Sequence, residues 1–489
     1  MKLMNRRAFL GTMGSAGVAA ALTAYATPAL ASEEAAAAAE EAPVAEGWEP
    51  TANNPDVASV IPESPVIYSE AEVSEILFDR PVVTTEWVNE DGTTVAPAFQ
   101  MARNTINRSG NGFGGILDKD HQLDLMQYLF SEDEALAYSQ MPLYHNFTAG
   151  EFAKRSGRTE EECLEICNNL ADRALLRRTY ENDKPVFLAL DSEYGYYEAY
   201  VMNFTSEYVE KKDLNAGADM GTNFYDSEYT LYRTMPVDLA TVIDGEYTDM
   251  DDWHAIFDRH DKFAVSPCMC RVSTLIREGK ASSTQEAMEL FAEEGMRDCQ
   301  HPLETCLVTG KQAEYFIEIG AGREVTAEEA EAILQNSVDK GMIVDAIYTK
   351  EVENICSCHA DCCLYVGAIR RLNGCPSLKN CSNFDLMHKK DDCIKCGMCV
   401  QQCPMMAITM DEDGYPIVDS ACVRCGQCAT VCPQSARGLK LKPEEERHYI
   451  PKDLPEYYDV KARARASKGY IVDITSQEDM QALVAESQA

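Results

Sequence analysis

The sequence predicts an α+β protein of several domains, and three observations carry that reading. The chain has 489 residues, about three domains of ordinary length. Helix signals and hairpin signals both occur, in the N-terminal half and again among the C-terminal cysteines. Eighteen of its 20 cysteines lie from Cys268 onward, so the distal half is organised by thiol chemistry as well as by an apolar core. The hydrophobic residues make up 45% and the charged residues 25%, a globular composition. The net charge of −38 argues against non-specific binding of nucleic acid or anionic lipid, and it favours basic protein partners.

The N-terminus is read as a targeting segment and set apart from the fold. Lys2, Arg6 and Arg7 precede a mildly apolar run, Gly11 to Ala26, and Ala29-Leu30-Ala31 supplies small residues for cleavage. The stretch Asn5-Arg6-Arg7-Ala8-Phe9-Leu10 resembles a twin-arginine export signal, with Asn5 where Ser or Thr is usual. The resemblance implies an extracytoplasmic protein with a signal peptide over 1–31. Its removal takes three bases with it and moves the charge from −38 to −41. No later segment offers about 18 uninterrupted apolar residues, so no transmembrane span is expected after the signal. Residues 32–56, rich in Ala, Glu and Pro, read as a disordered tether.

A helical domain is expected over 57–262. Ala149 to Lys154 begins a short helix, and Gly157-Arg158 turns the chain. Thr159 with Glu162 forms a capping box for a second helix, whose apolar positions are Leu164, Ile166, Leu170, Ala171 and Leu175. Strands at 177–180 and 186–190 flank Asn182-Asp183-Lys184-Pro185. Helix, turn, helix and hairpin together resemble a winged helix. Its second helix carries Glu160, Glu161, Glu162 and Glu165, which opposes a DNA-reading role. Cys163 and Cys167 share one face of that helix and read either as buried small hydrophobes or as half a metal site. Tyr194, Tyr196, Tyr197 and Tyr200 suggest a hairpin face, and Gly110 to Gly115 lacks the strand-then-helix context of a nucleotide loop.

Two further stretches carry the chemistry. Cys393, Cys396, Cys399 and Cys403-Pro404 follow the spacing C-x2-C-x2-C-x3-C-P, and Cys422, Cys425, Cys428 and Cys432-Pro433 repeat it. This duplicated motif resembles the two-cluster bacterial ferredoxin, over an expected module of 385–440. The resemblance implies two [4Fe-4S] clusters, because the C-P cysteine of each half ligates the cluster of the other half. Cys393, Cys396, Cys399 and Cys432 are thereby the ligands of one, and Cys422, Cys425, Cys428 and Cys403 of the second. Asp413-Gly414 between short apolar runs signals a hairpin. A twin-arginine route, understood to carry folded proteins, suits a chain whose cofactors are loaded before export.

The second stretch, 263–384, holds ten cysteines, more than burial accounts for. Cys268 and Cys270 alternate as on a strand, Cys299 and Cys306 flank Pro302, and Cys356, Cys358, Cys362 and Cys363 cluster before Cys375 and Cys381. One or two further [4Fe-4S] clusters, zinc, and disulfides or free thiols all remain open readings, although cysteines one residue apart pair poorly as disulfides. Two candidate sets follow from proximity in sequence: Cys268, Cys270, Cys299 and Cys306, and Cys356, Cys358, Cys362 and Cys363. His301 and His359 stand among them as alternative ligands. The P-C-x-C-R and C-x2-P-x-E-x-C-L motifs ahead of a ferredoxin module resemble a family of anaerobic bacterial iron–sulfur proteins, with Val272 where His is common. Between the cysteines, Thr326 with Glu329 caps a scaffold helix that ends near Gly341.

The expected function is single-electron transfer to or from an extracytoplasmic respiratory reductase or membrane donor, the redox partner protein. The alternatives are an oxidoreductase with its own substrate site in the cysteine-rich domain and a redox-sensing interaction protein. Residues 441–489 read as a C-terminal extension.

Overall fold

The computed structural model describes residues 47–50, 92, 94–108, 121–190, 195–225, 230–294, 301–371 and 381–467. The expected signal peptide, most of the tether, Gly110 to Gly115, Tyr194, Cys299 and Cys375 lie outside the described residues. The chain is α+β, with one large apolar core and a smaller one under the C-terminal cysteine repeat.

β1 (Glu49–Pro50) falls inside the stretch expected to be a tether, yet it pairs antiparallel with Met387 and His388. A proline is tolerated there because the strand is an edge and needs no second ladder. α1 (Pro97–Arg108), α2 (His121–Leu129) and α3 (Glu132–Ser139) follow, α3 opening on a Ser131–Glu134 capping box. β2 (Asn146–Phe147) leads into α4 (Ala149–Ser156) and α5 (Glu160–Asp172). Both helices begin with reciprocal Thr–Glu boxes, Thr148 with Glu151 and Thr159 with Glu162, and Gly157 at φ 72° stops the first. β3 (Arg177–Glu181) and β4 (Lys184–Leu188) complete an antiparallel sheet in the order β2-β4-β3. The turn is shorter than the sequence suggests. Asn182 and Asp183 both take positive φ, 50° and 63°, which closes a two-residue hairpin and frees Lys184 and Pro185 to pair with Glu181 and Tyr180.

Cys163 and Cys167 are fully buried on the inner face of α5, and burial pushes both thiols up. Cys163 Sγ lies 3.5 Å from the Ser156 hydroxyl. The tyrosine-rich segment is helical rather than a hairpin: Tyr197–Ala199 and Tyr200–Asn203 form consecutive short helical turns, with Tyr196 and Tyr197 buried edge to face. Its aromatic rings pack into the core instead of lining an exposed strand face, which an alternation pattern alone does not reveal. α6 (Ser206–Tyr225) follows.

Six antiparallel strands form the central sheet: β5 (Tyr232–Met235), β6 (Phe263–Pro267), β7 (Glu304–Thr309), β8 (Arg323–Val325), β9 (Ile343–Ile347) and β10 (Asn354–Cys358). Their order is β5-β9-β10-β7-β6-β8. The sheet therefore crosses the boundary expected at 262/263, because its edge strand β5 comes from the preceding region. α7 (Met269–Arg277), α8 (Gly310–Glu318), α9 (Ala327–Asp339) and α10 (Leu364–Arg371) pack in this part, together with a helix over Thr284–Glu294. α9 starts on the Thr326–Glu329 capping box and buries Ala330, Leu334 and Val338.

β11 (Phe384–His388), α11 (Met398–Gln402), β12 (Ile408–Met410), β13 (Pro416–Val418), α12 (Gln427–Thr430) and β14 (Arg437–Leu441) build the C-terminal module. β11 and β14 pair from Phe384–Leu441 to His388–Arg437. The extension then returns to the main body through α13 (Leu454–Ser467). Lys350 and Glu351 donate their amides to the carbonyls of Pro451 and Lys452 at 2.7 and 2.9 Å, and Tyr458 stacks on Tyr144 at 3.9 Å. Among the described residues no helix is long and apolar enough to cross a membrane.

Candidate functional site

The two halves of the C-terminal repeat have the same backbone. Lys395 and Arg424 both sit at φ 58°, Met406 and Ser435 at 51° and 47°, and Gly397 and Gly426 at 74° and 87°. Each glycine begins a one-turn helix, α11 or α12, in a left-handed conformation that a side chain resists. The result is two loops that fold their cysteines inward. Cys393, Cys396, Cys399 and Cys432 line one cavity, with Pro433 and Arg437. Cys403, Cys422, Cys425 and Cys428 line another, with Leu386, Ile408 and Arg424. Each cavity thus takes three cysteines from one half and the C-P cysteine from the other. The amides of Ala407 and Ala436 point at Cys403 and Cys432 sulfur, at 3.3 and 3.2 Å.

Two cations serve these tetrads, Arg437 buried and Arg424 half-buried, and no motif in the sequence marks them. Arg437 heads β14, is 4% exposed, hydrogen-bonds Cys428 and lies beside Cys399, so one guanidinium touches both tetrads. Arg424 donates to the Cys422 carbonyl at 2.7 Å. Despite the Arg437 charge, burial pushes the Cys428 thiol up to about 11, and burial pushes Cys403 up to about 12. Bare thiols there resist ionisation, whereas a metal centre replaces their protons outright.

The central cysteines converge on a third cavity of about 690 Å³, against about 350 and 310 Å³ for the two tetrads. Cys268, Cys270, Cys306, Cys356, Cys358, Cys362 and Cys363 all border it. One end of the sheet explains the convergence. β6 stops at Pro267, so Cys268 caps α7 and Cys270 lies in its first turn, rather than both alternating along a strand. Cys306 is on β7, and Cys356 and Cys358 share a face of the neighbouring β10. Cys362 and Cys363 lie in the turn that enters α10.

The sulfurs form a chain of contacts that ignores order in sequence. Cys268 meets Cys270, Cys270 meets Cys363, Cys363 lies 3.5 Å from Cys358, Cys358 meets Cys356, and Cys356 meets Cys306. The two sets suggested by sequence proximity are therefore interleaved, since Cys270 contacts Cys363 and Cys306 contacts Cys356. Hydrogen bonds from Cys270 and Cys358 draw Cys363 down to about 6, and those from Cys306 and Cys358 draw Cys356 well below the usual thiol range. Asn354 bridges Cys306 and Cys356, with both contacts at 3.3 Å. Cys381 stands apart: it is buried outside this cavity, near Val423 and Arg424, and burial pushes its thiol up to about 11.

Polar groups around the cavity are fixed. Arg271, fully buried, donates to the carbonyls of Pro302 and Ser357 at 3.0 and 2.8 Å and to the Thr305 hydroxyl at 2.6 Å. Asp345 is buried on β9, in register opposite Cys356 of β10, where burial raises its carboxyl to about 7 and the Thr234 hydroxyl bonds it at 2.7 Å. Tyr197, Tyr232 and Tyr365 supply aromatic walls. Arg271 was visible in the P-C-x-C-R motif; Asp345 and Tyr365 lie near the cysteines in sequence but carry no motif, and Tyr197 and Tyr232 come from elements far away in sequence.

The second tetrad faces the central part of the chain. Val237 donates its amide to the Cys425 carbonyl at 2.9 Å, and Ala360 to the Pro404 carbonyl at 3.2 Å. The Gln427 amide donates to the carbonyls of Val338 and Met342 at 2.9 and 2.8 Å. The first tetrad faces outward, with Cys396, Ile394 and Met398 exposed.

The 4Fe-4S dicluster domain family matches residues 392–437. The chain is also 52% identical over 31 residues to the pyruvate synthase subunit PorD of Pyrococcus abyssi, a match covering 6% of this chain and 30% of that subunit. No solved structure matches. The chain thus carries a ferredoxin-type 4Fe-4S module, whose chemistry is iron–sulfur electron transfer.

Proposed function

We propose that this chain relays single electrons from a redox partner at its surface, through two [4Fe-4S] clusters, to or from the central thiol cavity. The observation that carries the reading is three cysteine-lined cavities, the first with Cys396 exposed and the second joined by the Ala360–Pro404 bond to the segment that carries Cys358 and Cys362 of the third. Cys393, Cys396, Cys399 and Cys432 are the proposed ligands of the outer cluster, and Cys403, Cys422, Cys425 and Cys428 of the inner one. Thiolates are soft donors suited to iron–sulfur centres, and each tetrad supplies the four that a cubane requires. When bound, such a cluster accepts and releases one electron with little movement of its surroundings. The amides at Ala407 and Ala436, the buried Arg437 and the half-buried Arg424 tune that exchange through hydrogen bonding and charge. A relative that is by name a subunit of a larger enzyme supports reading the module as one part of an electron-passing assembly.

We place at least one further cluster in the central cavity, drawn from Cys268, Cys270, Cys306, Cys356, Cys358 and Cys363. The twin-arginine-like signal supports export, and the partner is then an extracytoplasmic reductase or membrane donor. The N-terminal winged-helix-like unit serves as packing scaffold, since α5 presents glutamates rather than bases. A second reading, an oxidoreductase with a substrate site in the central cavity, draws on that cavity's size, about twice that of either tetrad.

The test is iron and acid-labile sulfide counted in the full chain purified without oxygen. Two clusters give about eight irons, and each central cluster adds about four. Cys356→Ser and Cys270→Ser lower the count by about four and leave about eight, whereas Cys425→Ser removes iron from the module. A wild-type count near eight that Cys356→Ser leaves unchanged sinks the central cluster. Fewer than about four irons sinks the module reading.

A further inference from the structure

We propose that His301, Asp361 and Cys362 bind a single divalent ion of the zinc class, at the rim of the central cavity and separate from its clusters. Their ligand atoms, an imidazole nitrogen, a carboxylate oxygen and a thiolate sulfur, lie within 4.8 Å of one another. Three ligands at about 2.0–2.3 Å from a tetrahedral ion stand roughly 3.4–3.8 Å apart, so a small side-chain adjustment closes the site. A mixed nitrogen, oxygen and sulfur set is matched to zinc or ferrous iron rather than to magnesium or calcium.

The neighbouring cysteines divide between two tasks. Cys363 points into the sulfur chain, 3.5 Å from Cys358 and in contact with Cys270. Cys362 contacts Asp361 instead. His301 and Cys362 are 8% and 7% exposed, so two of the ligands are shielded from competing water. Asp361 is 38% exposed at its side chain, which leaves a path for the ion and for a fourth ligand from solvent. Three protein ligands with one open position is the arrangement of reactive rather than purely structural zinc sites.

His359 positions this set. Its Nδ1 lies 2.8 Å from Asp361 Oδ1, and its ring packs 4.5 Å from that of His301. Such an outer partner orients a ligating carboxylate and tunes its donor strength. The two ligand-bearing segments are anchored independently. Arg271 holds the carbonyl of Pro302, next to His301, and Pro404 accepts the amide of Ala360, next to Asp361. That second anchor belongs to the C-P segment of Cys403. The ion would therefore sit between the inner tetrad and the central cavity, where a Lewis acid can hold a small molecule against a redox centre.

The experiment dialyses the full, cluster-loaded chain against buffered zinc without oxygen, then counts zinc, iron and sulfide together. One zinc per chain is expected with iron unchanged. His301→Ala and Asp361→Asn each weaken zinc binding by at least about 100-fold, and His359→Gln by about 10- to 100-fold, all at wild-type iron. X-ray absorption at the zinc edge should show one sulfur near ~2.3 Å beside lighter ligands near ~2.0–2.1 Å. Cys362→Ser should abolish the sulfur ligand and keep the iron. Absence of bound zinc in the wild type, zinc unaffected by His301→Ala and Asp361→Asn, or zinc that rises only as iron falls overturns the proposal. Iron lost in step with zinc in Cys362→Ser makes Cys362 a cluster ligand and overturns it too. Low iron in the wild type counts against the cluster reading instead, so the two failures are distinguishable.

Discussion

The buried Arg437 is expected to raise the potentials of both proposed clusters. Its guanidinium is 4% exposed, hydrogen-bonds Cys428 and lies beside Cys399. A reduced cluster carries one more negative charge than an oxidised one, so a fixed cation favours reduction and raises the potential. At about 5 Å and an effective dielectric of about 20, a unit charge interacts with another by about 3 kcal/mol. For a one-electron couple that corresponds to about 140 mV. Charge spread over the guanidinium and over the cluster reduces this by about half, so Arg437→Gln should lower both potentials by about 50–100 mV. Arg437→Lys keeps the charge and should shift them by under about 30 mV, which separates charge from packing. The assay is a redox titration of the full chain followed by electron paramagnetic resonance, with iron counted to verify loading. An Arg437→Gln protein with full iron and potentials within about 20 mV of wild type refutes the reasoning, as does any rise.

Three other outcomes are expected. Asp213 bonds Lys212 and Arg277, both at 2.5 Å, and joins α6 to α7; burial acts against its charge, but these two cations hold the carboxyl below its usual value of 3.8. Its stabilising contribution is thus present above pH ~4 and lost as pH falls through the depressed folded value; Asp213→Ala should cost about 3–5 kcal/mol at neutral pH, and the gap in Tm from wild type should close on acidification. Replacing Arg6 and Arg7 together by Lys should leave the chain in the cytoplasm, and normal export in a fractionation assay refutes the targeting argument. Electron transfer to the true partner should slow as ionic strength rises, because a chain of net charge −38 steers a basic surface; a rate flat across salt counts against it.

Local chemistry was legible in the sequence, and long-range convergence was not. The capping boxes at Thr159 and Thr326 involve residues three apart, so the sequence states them directly. The duplicated cysteine spacing is equally local, and the matching positive φ values at Lys395 and Arg424 are its backbone consequence. The central cysteines could be grouped only by proximity along the chain. The fold instead brings Cys270 against Cys363 through the meeting of α7 with the turn before α10. Nothing in the spacing of those segments encodes that contact, because it depends on strand order in the sheet. Arg437 and Asp345 were missed for a related reason: a buried charge beside a cysteine has no periodic signature. The tyrosine run misled because helical turns and strands both place aromatic rings inward, and here the rings are buried.

The docking of the module bears on what the central cavity is for. A free two-cluster carrier exposes both ends, so either cluster can meet a partner. Here the inner tetrad is joined to the main body by Val237 to Cys425, Ala360 to Pro404 and the two bonds of Gln427. The outer tetrad, with Cys396, Ile394 and Met398 exposed, presents an apolar face to a partner in solution. An inner cluster held in this way has no use as a second docking point. In the proposed relay it passes electrons onward, and the Ala360–Pro404 bond joins it to the segment that carries Cys358 and Cys362 of the thiol cavity. A purely structural metal there would leave the inner cluster at a dead end. The buried aromatic walls, the fixed cation Arg271 and the interleaved sulfurs suit a redox centre whose potential the protein sets. The proposed relay therefore ends at the central domain, with the module as its wire.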